Sequence, residues 1–309
     1  PISQGVYLHG GSLGDIDNDG DIDIIAGDYD NGKLTWFEND GAANPSFSST
    51  HILNDVDSIS KVILGDIDND GDLDIAYSRE ADSNNVGWLE NNGNSDPSFD
   101  SHILSSDEDF AHSIDIADFD GDGDLDIASG QNLGGSRVTL FINDGSADPT
   151  FSTYLVSTTE SAIDVKFADI DNDGDIDLVS ADINNDSVTW HENNNGSWTS
   201  NVITTTADSV RGVDVADIDG DGDLDITSAS SNDADVSWYE NDGAADPSFT
   251  VHDHTYIINE AHDVNPTDID GDGDIDLIIA EKHWNNYIFI EGAGGNRVGW
   301  LENNGAIDT

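Results

Sequence analysis

Apolar and polar residues alternate in short runs along this chain, and the runs return in the same order six times. In the second copy Val62-Ile63-Leu64-Gly65 leads into an acidic stretch and Leu73-Asp74-Ile75-Ala76-Tyr77 leaves it. Val86-Gly87-Trp88-Leu89-Glu90-Asn91 follows, and Phe99-Asp100-Ser101-His102-Ile103-Leu104 ends the unit. Each run has the length and the β-branched and aromatic content of a strand, and Gly, Asn, Asp and Pro separate the runs. No window sustains a 3.6-residue period, so helix should be scarce. Four short antiparallel strands per repeat describe one blade of a propeller.

The acidic stretch between the first two runs is a nine-residue phrase, Asp15–Asp23, which returns as Asp66–Asp74, Asp118–Asp126, Asp169–Asp177, Asp217–Asp225 and Asp268–Asp276. The steps between starts are 51, 52, 51, 48 and 51 residues. A fixed period of this size marks solenoids, propellers or arrays. The expectation is an all-β, six-bladed β-propeller, one domain over residues 1–309, with loops starting at 15, 66, 118, 169, 217 and 268. The two chain ends fall close together in the repeat frame, so the Pro1–Leu8 strand should close the last blade. A seven-bladed ring cut to six repeats would show the same phase.

Within the phrase Asp recurs at alternate positions. Position 1 is Asp15, Asp66, Asp118, Asp169, Asp217 and Asp268; position 3 is Asp17, Asp68, Asp120, Asp171, Asp219 and Asp270. Position 5 is Asp19, Asp70, Asp122, Asp173, Asp221 and Asp272; position 7 is Asp21, Asp72, Asp124, Asp175, Asp223 and Asp274. Position 9 is Asp23, Asp74, Asp126, Asp177, Asp225 and Asp276, and position 6 is always Gly. A hard cation such as Ca²⁺ takes six to eight oxygens, and a tight loop supplies them from alternate residues. Positions 1, 3, 5 and 9 would give carboxylates and position 7 its backbone carbonyl. Without a cation, carboxylates ~4 Å apart repel by about 1–4 kcal/mol per pair. About six structural Ca²⁺ ions are expected.

The third run recurs as Trp-x-Glu-Asn at Trp36, Trp88, Trp190, Trp238 and Trp300, and decays to Leu140-Phe141-Ile142-Asn143 in the third repeat. A large aromatic at one register of each sheet reads as core packing.

Composition narrows the partners. The net charge is −58, with eight Lys+Arg in 309 residues, so no basic patch for nucleic acid can form. No apolar run approaches the ~20 residues that span a bilayer. Cysteine is absent, so disulfides do not hold the fold. Loops of this kind and so acidic a surface suit a calcium-rich setting outside the cell. The chain opens on Pro1, as expected of a processed or excised piece.

Ala216-Asp217-Ile218-Asp219-Gly220-Asp221-Gly222-Asp223-Leu224-Asp225-Ile226 and its five siblings resemble the calcium-loop half of FG-GAP/VCBS repeats, which build the integrin-α head and many secreted propellers. The resemblance implies the propeller and its calcium, with the loops joining the inner strand of a blade to the second. It says little about function, since such propellers include adhesion heads, lectins and some polysaccharide lyases. The Trp-x-Glu-Asn strand and the 51-residue period depart from the integrin pattern.

The end of each blade opposite the loops should carry residues that vary. Six residues before the loops stand His9, Ser60, His112, Ile163, Arg211 and His262; thirteen after the loop starts stand Asp28, Arg79, Gln131, Asp182, Ser230 and Glu281. The sixth repeat also holds an insertion of roughly His283 to Arg297, with Trp284, Tyr287 and Phe289, whose aromatics suit stacking on a sugar or a partner protein. Candidate ligand residues are His262, His283, Trp284, Tyr287, Phe289 and Arg297. No Gly-x-Ser-x-Gly, His-Glu-x-x-His or phosphate loop is present, so no catalytic residues are assigned. The reading is a calcium-stabilised, extracellular, non-catalytic module that binds a glycan or protein. The alternatives are a building block of a self-associating surface or filamentous assembly, and a polysaccharide-active lyase or hydrolase.

Overall fold

The computed structural model describes residues 8–28, 33–54, 58–80, 85–105, 110–132, 136–254, 260–281 and 298–301. Among the described residues every element is a strand. The first sheet holds β1 (Leu8–Gly14), β2 (Asp23–Asp28), β3 (Lys33–Asn39) and β4 (Phe47–Asn54). The second holds β5 (Ile59–Gly65), β6 (Asp74–Arg79), β7 (Val86–Asn91) and β8 (Phe99–Ser105). The third holds β9 (Ala111–Ala117), β10 (Asp126–Gln131), β11 (Arg137–Asn143) and β12 (Phe151–Ser157). The fourth holds β13 (Ala162–Ala168), β14 (Asp177–Asp182), β15 (Ser187–Asn194) and β16 (Ser197–Thr204). The fifth holds β17 (Val210–Ala216), β18 (Asp225–Ser230), β19 (Asp235–Asn241) and β20 (Phe249–His254). In the sixth, β21 (Ala261–Thr267), β22 (Asp276–Glu281) and β23 (Val298–Leu301) make three described strands.

Each sheet runs in simple sequence order with antiparallel neighbours, the meander expected of a propeller blade. The chain forms two compact units, Pro1–Thr159 with the first three sheets and Glu160–Thr309 with the others. Within the first unit β1, β5 and β9 approach one another, and within the second β13, β17 and β21 do so. The first strands are therefore the inner ones. Burial follows from this: β10, β14 and β18 are buried at every residue, while β8, β12 and β16 are largely exposed.

Within each unit the core lies between consecutive sheets. Trp36 packs on Ile59, Val62, Ile75 and Tyr77 of the following sheet, and Trp88 on Ala111, Ile114, Ile127 and Phe141. Trp190 packs on Val210, Val213, Ile226 and Tyr239 in the same way. The repeated Trp is thus a joint between sheets as well as a core residue.

One expectation is corrected. Leu8 pairs with Asp28 at the start of β1, so it belongs to the first sheet and not to the last. Residues 1–7, the rest of the proposed closing strand, lie outside the described residues.

Candidate metal centre

Each acidic loop joins the first strand of a sheet to the second. All six close in the same way: the N–H of the position-6 Gly donates to Oδ2 of the position-1 Asp at 2.9–3.1 Å, as in Gly20–Asp15, Gly71–Asp66 and Gly222–Asp217. The Gly takes φ between 95° and 103°, a left-handed conformation that strains any residue with a Cβ. The N–H of position 7 donates to the position-5 carboxylate, at 2.9 Å for Asp21 on Asp19 and 3.0 Å for Asp72 on Asp70. Main-chain donors thereby offset part of the repulsion among the carboxylates.

These turns converge the acids. Asp15, Asp17 and Asp19 each bring an oxygen within 4.8 Å of the other two, as do Asp66, Asp68 and Asp70, and Asp118, Asp120 and Asp122. In the fourth and fifth loops the trios are Asp169, Asp171, Asp177 and Asp217, Asp219, Asp225. Position 1 provides the test of fit. Oδ1 of Asp66, Asp118 and Asp217 is buried and accepts no hydrogen bond, although Oδ2 of the same carboxylates is held. A buried carboxylate oxygen without a donor is costly unless a cation meets it. An all-oxygen donor set suits Ca²⁺. Burial, then the like charge at position 5, pushes the carboxyls of Asp17, Asp68 and Asp120 above their ordinary range. A cation would relieve both effects.

Position 9 does more than face the loop. Asp74 is fully buried; its Oδ2 accepts the N–H of Ile67 at position 2 of its loop, and its Oδ1 accepts the N–H of Asn91 at the end of β7, at 2.9 and 2.8 Å. Asp23, Asp126, Asp177 and Asp225 repeat this bridge to Asn39, Asn143, Asn193 and Asn241. Trp36 and Trp190 add an indole N–H to Asp23 and Asp177 at 3.0 and 2.9 Å. Burial pushes Asp74 and Asp177 up to about 7 and Asp126 and Asp225 up to about 6. The position-7 side chain is engaged as well. Asp72 lies against the turn after β7, where a Cβ on Gly93 would overlap its Oδ2.

Two sets of residues in this network escape a reading of the sequence. In three repeats the Asn at the end of the third run reaches back into the preceding sheet: Asn91 Nδ2 to the Ile16 carbonyl at 2.9 Å, Asn143 to Ile67 and Asn241 to Ile170, both at 2.8 Å. Its signal was its persistence at Asn143, where the Trp and Glu are lost. The Asn at position 4 then ties loop to loop. Asn18 donates to Asp72 at 2.6 Å, Asn172 to Asp223 at 2.8 Å, and Asn69 to Asp124.

At the other end of the sheets the residues before the loops stand at β-bulges. The pairing shifts between Ile59 and Lys61, Ala162 and Asp164, Val210 and Gly212, and Ala261 and Asp263, around Ser60, Ile163, Arg211 and His262. The side chains there are mostly inward: Ser60, Ile163, Asp28, Gln131, Asp182 and Ser230 are buried. His112 pairs with Glu80 at 3.2 Å. His262 is half-buried in β21; His283, Trp284, Tyr287, Phe289 and Arg297 lie outside the described residues. Elsewhere, Ser180 Oγ and Glu160 Oε2 both lie on His191 Nε2, at 2.9 and 3.1 Å, and Ser200 Oγ lies on Nδ1 at 2.9 Å. Ser180 and His191 are wholly buried, and Ser200 is exposed on β16. His102 and His252 stack on Trp88 and Trp238 and bond Glu90 and Glu240 at 2.8 and 2.7 Å.

Comparison with known proteins follows the same lines. No curated protein sequence matches the chain significantly. Among solved structures it is similar to an Agrocybe aegerita lectin described as recognising non-reducing terminal N-acetylglucosamine. That similarity has a TM-score of 0.58 and 18% identity over 97% of this chain and 81% of the lectin. It is also similar to the V. cholerae biofilm matrix protein Bap1, with a TM-score of 0.50 and 15% identity over 85% of this chain and 42% of Bap1. At these identities the likeness is one of fold. The FG-GAP-like repeat matches residues 15–77, 79–129, 122–180, 169–228 and 219–279, most of the chain. With the repeated sheets and the loop geometry, that match places the chain in the FG-GAP-like repeat family.

Proposed function

We propose that this chain is a calcium-stabilised module that works outside the cell and binds a glycan or protein without catalysing a reaction. Its six sheets would serve as the blades of one propeller. The observation that carries the calcium is the buried, partnerless Oδ1 of Asp66, Asp118 and Asp217 beside two further carboxylates. Positions 1, 3 and 5 would hold the ion, with position 9 completing the set in the fourth and fifth loops. Calcium would let the acidic loops close, coupling folding to metal binding.

Support for a binding role comes from the fold shared with a lectin over nearly the whole of this chain, and with a biofilm matrix protein. On this reading the ligand would meet His262 and the insertion that carries Trp284, Tyr287, Phe289 and Arg297. A glycan panel in millimolar Ca²⁺, with a chelated control, tests it. Saturable, calcium-dependent binding that Trp284→Ala weakens is the expected result. A blank panel would remove the glycan reading and leave a protein ligand.

A further inference from the structure

The fourth strands form the outer edge of their sheets, and no other described strand pairs with them. They are unlike the rest of the surface. The chain carries 66 acidic residues in 309, yet β4, β8, β12, β16 and β20 hold only Asp100 and Asp253, and no Lys or Arg. β12 and β16 carry no charge at all. Among their exposed positions, beside Ser and Thr, stand large apolar side chains. Ile103, Tyr154, Leu155, Val202 and Val251 are 43–59% exposed, and all five lie on these strands.

Edge strands offer unpaired N–H and C=O groups, and proteins blunt them with charge, Lys, Pro or bulges. Among the described residues bulges fall only near the far ends, between His51 and Leu53, Ile103 and Ser105, Leu155 and Ser157, and Val202 and Thr204. The stretch before each bulge stays regular. We propose that these edges are docking surfaces for a second copy of this chain, joined by antiparallel pairing of fourth strands.

Charge selects that occupant. Two chains of −58 can approach only where the acids thin out. A second copy brings the same strip, and where β12 or β16 pair, apolar residues meet apolar residues and the strands bury no carboxylate of their own. A basic partner would be drawn to the Asp loops instead. The ~20 Å of regular strand at each edge buries far less than the ~1,200–2,000 Å² of a stable interface. One edge therefore gives a weak contact, and several edges per chain build open assemblies through avidity.

Sedimentation velocity in calcium and high salt, from micromolar to millimolar chain, is the test. Concentration-dependent growth is expected, and it should be reduced in Leu155→Lys/Val202→Lys, which charges two of the edges. Leu13→Lys, which charges an exposed apolar residue away from the edges, should associate as the parent does. Matching thermal melts establish that each variant is folded. Because the chain has no cysteine, Val202→Cys or Val251→Cys should form disulfide-linked dimers on mild oxidation and Leu13→Cys should not. A parent chain that stays monomeric throughout, or edge lysines that leave assembly intact, would overturn the proposal.

Discussion

The side-chain amide of Asn91 donates to the carbonyl of Ile16 at 2.9 Å, joining the end of one sheet to the acidic loop of the sheet before it. The same amide reaches the Leu73 carbonyl at 3.1 Å, and the residue is 1% exposed. Asn91→Ala leaves both carbonyls without that donor. It should cost about 1–3 kcal/mol, read as a lower denaturation midpoint. Asn39, whose amide among the described residues reaches only the Ile22 carbonyl of its own sheet, gives the comparison: Asn39→Ala should cost clearly less. Equal losses would mean that the link between sheets adds nothing.

The position-4 amides set a second expectation. Asn69 links the second loop to Asp124 of the third, and Gly121 occupies its place in the third loop. Asn69→Gly therefore keeps the loop conformation and removes only the link. Calcium titration by calorimetry should show a less steep isotherm with unchanged stoichiometry. An unaltered slope would show that neighbouring loops load independently.

Asp217→Asn keeps an acceptor for the Gly222 N–H but removes the charge from the loop. The variant should bind one calcium fewer per chain, and its melt in excess chelator should match the parent's. For the parent, chelation should lower the melting temperature by many degrees; an unchanged melt would remove the calcium reading altogether.

Acid should act in opposite directions with and without metal. Asp74 and Asp177 are pushed up to about 7, and Asp126 and Asp225 to about 6, by burial, from an ordinary value of 3.8. Between about pH 4 and pH 7 the metal-free fold then holds more protons than the unfolded chain, so its stability rises as pH falls through that window. With calcium, protons compete for the loop carboxylates and stability falls on acidification. The gap between denaturation midpoints in calcium and in chelator should narrow as pH drops through that window. Asp40, Asp144 and Asp242 are held below the ordinary range by Ser and Thr hydrogen bonds, so their contribution fades only in stronger acid. A gap that widens on acidification would contradict this assignment.

Much of this was legible in the residues. The period, the strand runs and the Asp spacing gave four-stranded sheets and acidic loops because each depends on local chemistry. The Trp register pointed to a core for the same reason. The linking residues were hidden because their partners lie in another repeat: Asn91 reads as the start of a turn until Ile16 is set beside it. The bulges at Ser60 and His262 were equally silent, since one extra residue in a strand barely disturbs the alternation. The outer edges escaped notice because Val202 or Leu155 alone is an ordinary surface residue.

Ile16, Ile67 and Ile170 each receive an amide from the sheet that follows. Each of these three joints has a polarity: the earlier repeat offers an acceptor forward and the later one a donor back, built from the same two positions. Tandem duplication of the second repeat, which carries both Asn91 and Ile67, would leave each new neighbour with a matching half of that joint. Repeat number can therefore drift by whole units in evolution, while a change out of phase would strand a buried carbonyl at each seam.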